Sequence, residues 1–190
     1  MYLRFDAAFA GRLMHYFELR GRMRYRHLSQ GMASIFNFLC ALACRADLTM
    51  LDEPVLGMDV TVRKAAYDIL LREYTEHPRT FVVSSHLLSE IEGLLSDLIL
   101  LERGVVVLHG GMDDIRAGAY RVAGPAEAVA SYAEGRDVLA RRTSELGSYA
   151  VIRGKPERPG NLVVSAVTAE ELCVLLTRGQ GKEEELACLW

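Results

Sequence analysis

The chain has 190 residues, 51% of them hydrophobic and 25% charged, with a formal net charge of −3. That composition allows a substantial core, excludes a wholly disordered chain and gives no electrostatic case for a nucleic-acid partner. No run approaches the ~18 uninterrupted apolar residues of a membrane span, and no secretory signal is visible at Met1-Tyr2-Leu3-Arg4-Phe5-Asp6.

The four cysteines, Cys40, Cys44, Cys173 and Cys188, read as reduced thiols of a cytosolic protein. Residues 6–19 predict an amphipathic helix carrying Phe9, Leu13, Tyr16 and Phe17, with Asp6 as its cap. Residues 20–27 hold Arg20, Arg22, Arg24, Arg26 and His27, a run that suits either a solvated loop or a nucleic-acid patch. Leu28-Ser29-Gln30-Gly31-Met32 then opens an apolar helix to about Ala46. Ser29 is placed as its N-cap, and a helix N-terminus with a free hydroxyl is a ready phosphate site or simply an ordinary capped helix. Cys40 and Cys44 lie four apart on that helix. The spacing suits a metal, but flanking Leu39, Leu42 and Ala43 favour two small buried hydrophobes.

Leu48-Thr49-Met50-Leu51 is a short apolar run that ends in Asp52-Glu53-Pro54. It predicts a buried strand whose carboxyl end presents two adjacent carboxylates, stopped by a proline that cannot donate a ladder hydrogen bond. Two neighbouring carboxylates at a strand end call for a cation, and a magnesium ion carried by a nucleotide is the natural one. A turn, Val55–Asp59, leads to a helix over 60–76 with Asp59 as its cap and Val62, Ala66, Ile69, Leu70 and Tyr74 inward. Thr80–Ser84 predicts a second buried strand, which delivers Ser84-Ser85-His86 to a strand end. A helix over 87–96, a hairpin of strands 98–101 and 105–109 and a short helix over 113–117 follow. The alternation implies an α/β fold with a mostly parallel sheet flanked by helices. From Tyr120 onward, short strands and two helices predict a small α+β appendage, with a loose loop over Gly154–Gly160 and a mobile tail from 178.

Taken together, these motifs resemble the ATP-binding cassette, the ATPase of ABC transporters, and within it the drug and peptide exporters of bacteria. Leu28–Met32 looks like the signature loop, Leu48–Glu53 like the Walker B strand with its catalytic glutamate, Leu56–Asp59 like the D-loop and Ser84–His86 like the switch-histidine loop. Glu90 and Asp97 also fall where that pattern has acidic residues. The resemblance covers residues 1 to about 118. It implies the C-terminal part of a P-loop-type nucleotide hydrolase over 1–118, an α+β extension over 119–178 and a tail over 179–190.

The resemblance also implies ATP and Mg²⁺ as cofactors. Asp52 would hold the metal, Glu53 would activate the attacking water, and His86 would contact the γ-phosphate. Ser29, Gln30 and Gly31 would cover a nucleotide held by a second cassette subunit, with Asp59 linking the two sites. The implied partners are that second subunit and a membrane-spanning permease, and the implied location is the inner face of the cell membrane. No G-x-x-x-x-G-K-[ST] occurs in the sequence. The resemblance therefore places the phosphate loop upstream of Met1, implies an N-terminally truncated chain that is inactive alone, and leaves one face of the Asp52 strand uncovered. The alternative is a non-catalytic interaction fragment that pairs with an intact cassette. A chromosome-maintenance ATPase lobe ranks below both, because no sustained heptads precede the signature.

Overall fold

The computed structural model describes residues 5–144 and 147–177. The chain divides into two compact units, Met1–Leu94 and Leu95–Trp190.

The first unit opens with α1 (Ala7–Tyr16), capped by the Asp6 carboxylate, which accepts from the Phe9 amide at 2.8 Å. A short 3₁₀ turn, Tyr25–His27, interrupts the expected basic loop. Next comes α2 (Gln30–Ala43), whose Ile35, Phe38, Leu39, Leu42 and Ala43 are buried and form the centre of the core. Strand β1 (Leu48–Asp52) leads through a turn to α3 (Val60–Glu76), then to β2 (Thr80–Ser84), α4 (Leu88–Ile91) and a 3₁₀ turn, Glu92–Leu94. β1 and β2 pair in parallel, in step from Leu48 with Thr80 to Asp52 with Ser84.

That two-stranded sheet is covered on one side only. Thr49 and Leu51 are buried, whereas Leu48, Met50 and Val82 on the opposite face are 53%, 72% and 47% exposed. The strand is half-buried, with the alternation that pattern carries, and its bare face is the one that the resemblance left uncovered. α3 also differs in detail from its predicted face. Tyr74 points out, while Tyr67 and Glu73 join Ala66 and Leu70 inside. Glu73 is tolerated there because Arg79 meets its carboxylate at 2.9 Å, Arg45 at 3.4 Å and His77 at 3.6 Å.

The Asp6 cap makes the first helix sensitive to acid. The Phe9 amide, with Arg45 alongside at 3.3 Å, holds the Asp6 carboxyl below the usual carboxylate range. A depressed folded value means that the cap's contribution is present above the unfolded pKa, about 3.9, and is lost as pH falls through the folded value. Asp6→Asn is expected to flatten that acid limb, read by circular dichroism below about pH 4.

In the second unit β3 (Asp97–Glu102) and β4 (Val105–Gly111) form an antiparallel hairpin, turned at Arg103 and Gly104 with φ of 50° and 80°. Helix α5 (Met112–Ala117) follows, then β5 (Ala119–Gly124), α6 (Ala126–Ala133), β6 (Val138–Ser144), β7 (Gly147–Arg153), β8 (Val163–Ala166) and α7 (Ala169–Thr177). The last four strands form an antiparallel sheet in the order β6-β7-β5-β8. Its core joins Tyr120, Val122, Val129, Tyr132, Ala150 and Ile152. Burial, helped by the adjoining Tyr132 hydroxyl at 3.2 Å, pushes the Tyr120 phenol up to about 12.

Among the described residues, parallel pairing is confined to β1 and β2. The boundary between the units falls at Leu94, upstream of the change in texture near 118, because the hairpin and α5 pack with α7. The tail 179–190, with Cys188, lies outside the described residues. Cys40, Cys44 and Cys173 form no disulfide, and burial followed by the neighbouring Cys44 raises the pKa of Cys40. Among the described residues no group of three or more His, Cys, Asp or Glu converges as a metal cage, and no helix is long and apolar enough to cross a membrane.

Candidate active site

The in-step parallel pairing of β1 and β2 sets Asp52 beside Ser84 at the carboxyl ends of both strands. The Ser84 hydroxyl donates to Asp52 Oδ1 at 2.5 Å and accepts from the Glu53 amide at 2.9 Å. One side chain thus ties together both acidic residues. Glu53 needs such a tie, because its backbone sits at φ 43°, a region that non-glycine residues seldom adopt. The turn Pro54–Gly57 follows at once and is closed by the Leu56 amide donating to the Glu53 carbonyl at 3.1 Å.

His86 enters from the loop after β2. Its Nδ1 lies 2.8 Å from Glu53 Oε1. An ionised carboxylate only accepts, so in this contact Nδ1 is the donor. The imidazole is 62% exposed and the Glu53 side chain 31%, so the contact orients groups more than it stabilises the fold. Behind it, Ser85 accepts from the Leu87 amide at 3.0 Å, and Arg63 pairs with Glu90 at 2.9 Å. The Tyr67 side chain is buried nearby beside Ser85, and its burial raises the phenol pKa.

A second group of expected residues meets around the turn before α3. Ser29 caps α2, accepting from the Met32 amide at 3.3 Å, and Asp59 caps α3, accepting from the Val62 amide at 3.0 Å. Gly31 lies so close to the turn that a Cβ on it would stand 2.4 Å from the Gly57 carbonyl oxygen. Gly57 itself has φ of +77° and packs under the Gln30 side chain. Ser34 donates to the Leu56 carbonyl at 2.7 Å, which fastens the same junction. The structure therefore brings Asp52, Glu53 and His86 together through Ser84, and brings Gln30 and Gly31 onto the turn that ends at Asp59. The bridging role of Ser84 is the part that motif reading missed. Its signal was the equal length of the two strands, which puts position 84 opposite position 52.

The donor set fits a metal shared with phosphates. Asp52 and Ser84 offer oxygen ligands only, the preference of Mg²⁺, and too few of them to hold the ion without further oxygens.

Residues 5–92 match the family described as "AAA domain, putative AbiEii toxin, Type IV TA system". The ABC transporter ATP-binding protein YtrB of Bacillus subtilis is 28% identical over 116 residues, 61% of this chain and 40% of YtrB. An uncharacterized ABC transporter ATP-binding protein of Methanocaldococcus jannaschii, MJ1023, is 32% identical over 48% of this chain and 35% of its own length. A solved ATP-binding subunit of an ABC transporter superposes with a TM-score of 0.51 at 27% identity, covering 58% of this chain and 48% of that one. Over this part the chain resembles the ATP-binding cassette of ABC transporters. Its fold is accordingly the α/β fold of P-loop-type nucleotide hydrolases. It spans 40% of YtrB and 35% of MJ1023, and the carboxylate, hydroxyl and imidazole cluster falls within residues 5–92 of the family match.

Proposed function

We propose that this chain serves as an ATP-hydrolysing subunit of an ABC-type transporter, of the exporter type, at the inner face of the cell membrane beside a membrane-spanning permease. The observation that carries the reading is the Ser84 bridge between Asp52 and the Glu53 amide, closed by His86 on the Glu53 carboxylate. Such a cluster suits phosphoryl transfer, which depends on positioning and charge neutralisation more than on covalent help. A bound Mg²⁺ would neutralise phosphate charge, with Asp52 as its protein ligand.

Glu53 orients a water and accepts its proton as the water oxygen bonds to the γ-phosphorus and the bridging bond to ADP breaks. The products are ADP and inorganic phosphate. His86 holds the Glu53 carboxylate through Nδ1 and contacts the γ-phosphate. In a pair with a second cassette subunit, Ser29, Gln30 and Gly31 cover the partner's nucleotide, and Asp59 links the two sites.

The sequence holds no G-x-x-x-x-G-K-[ST], the loop that supplies the amide nest and lysine for the β- and γ-phosphates. That favours a second reading, a non-catalytic fragment that completes an intact cassette. Under either reading, the chain alone shows no micromolar Mg-ATP binding by isothermal titration calorimetry and no hydrolysis. The two part when a polypeptide carrying a phosphate loop is added. The enzymatic reading expects hydrolysis in the mixture that Glu53→Gln lowers about 10²-fold or more. Hydrolysis indifferent to Glu53→Gln overturns it and leaves the fragment reading.

A further inference from the structure

Charge is unevenly spread along the N-terminal unit. From Ala7 to Ala46 there are six arginines and one carboxylate, Glu18, although the whole chain carries −3. Four of the six, Arg20, Arg22, Arg24 and Arg26, crowd into the connection between α1 and α2, and every residue from Arg20 to His27 is exposed. Among the described residues none of these four forms an ion pair. Between them, Met23 and Tyr25 are 40% and 55% exposed. The segment is nonetheless anchored. The Tyr25 hydroxyl accepts from Asn37 Nδ2 at 3.0 Å, and its ring meets Phe36 edge-on at 5.9 Å. It is a fixed, solvent-facing ridge of uncompensated guanidinium groups with two amphipathic side chains among them.

From this we infer that residues 20–27 form a docking ridge for an anionic phospholipid surface. Clusters of four or more basic residues are attracted to acidic headgroups, and guanidinium groups bind phosphate in a fork geometry. Met23 and Tyr25 suit the depth of the headgroups, where amphipathic side chains collect. Nucleic acid fits less well. The ridge exposes one aromatic ring, already packed against Phe36, where a stacking series is needed, and the chain as a whole is acidic. The inference does not depend on nucleotide chemistry, so it stands or falls separately from the proposed hydrolysis.

The test is co-sedimentation of the full chain with vesicles of phosphatidylcholine containing phosphatidylglycerol, against phosphatidylcholine alone. Binding is expected only to the anionic vesicles and should fall as salt is raised from about 50 mM to about 500 mM. Each arginine near such a surface contributes about fivefold, so the quadruple variant R20Q/R22Q/R24Q/R26Q should lose about 100-fold or more. Met23→Glu should weaken binding in the same direction, and its milder change guards against a folding defect in the quadruple variant. Arg141→Gln with Arg142→Gln, exposed arginines on β6, should change nothing. Equal binding to both vesicle types, indifference to the arginine substitutions, or preference for a single-stranded oligonucleotide over the anionic vesicles would each overturn the inference.

Discussion

Glu73→Ala should destabilise the N-terminal unit by about 3–5 kcal/mol, the typical cost of removing one partner from a buried charge cluster. The Glu73 side chain is 3% exposed and the Arg79 side chain 6%. Arg79 also donates to the Leu42 carbonyl at 3.1 Å and lies over the Phe81 ring at 4.5 Å, so it cannot swing into water without giving up those contacts. Without Glu73, the Arg79 charge stays buried with only carbonyl oxygens to meet it. Arg45 loses its 3.4 Å contact as well, and it links this node to the Asp6 cap of α1. Urea denaturation should therefore show a lower midpoint. Glu73→Gln should fall between wild type and Glu73→Ala, because it keeps an acceptor and loses the charge. A loss below about 1 kcal/mol, the range of exposed ion pairs, would mean that the cluster is solvated.

Gly31→Ala should cost about 1–3 kcal/mol, the usual penalty for overpacking a close contact. The added methyl would stand 2.4 Å from the Gly57 carbonyl oxygen and 3.1 Å from its carbon, and both are backbone atoms with little freedom to yield. The substitution should also disturb the turn that carries Leu56 and Asp59, through the Ser34 hydrogen bond to Leu56. Gly93→Ala makes the matching control, since a Cβ there meets nothing within 4 Å. It should be neutral or slightly stabilising, by up to about 1 kcal/mol. Equal effects at positions 31 and 93 would show that the contact with Gly57 is loose.

Local signals carried much of this architecture. The helix over Val60–Glu76 and the strand over Thr80–Ser84 fall where periodicity and capping residues put them, and Asp6, Ser29 and Asp59 all cap as their positions suggest. What sequence reading missed is non-local. Tyr74 was expected inward, and Glu73 was not among the residues expected there. Their exchange rests on Arg45 and Arg79, which lie outside the helix and come to Glu73 only when the chain folds. The Ser84 bridge likewise depends on strand register, and the Gly31 contact depends on two loops meeting. The half-covered sheet, with Met50 and Val82 in solvent, was legible through the resemblance, which left one face of the Asp52 strand uncovered, and not from the apolar run itself.

The rim formed by Asp52, Glu53, Ser84 and His86 is proposed to receive a metal-bound nucleotide. Manganese-ATP added at millimolar concentration to the ¹⁵N-labelled chain tests it most directly. Paramagnetic line broadening should centre on the amides of Asp52, Glu53, Ser84 and His86, and should disappear from them in Asp52→Asn. If those four amides keep their linewidths while others broaden, the rim is not a nucleotide site.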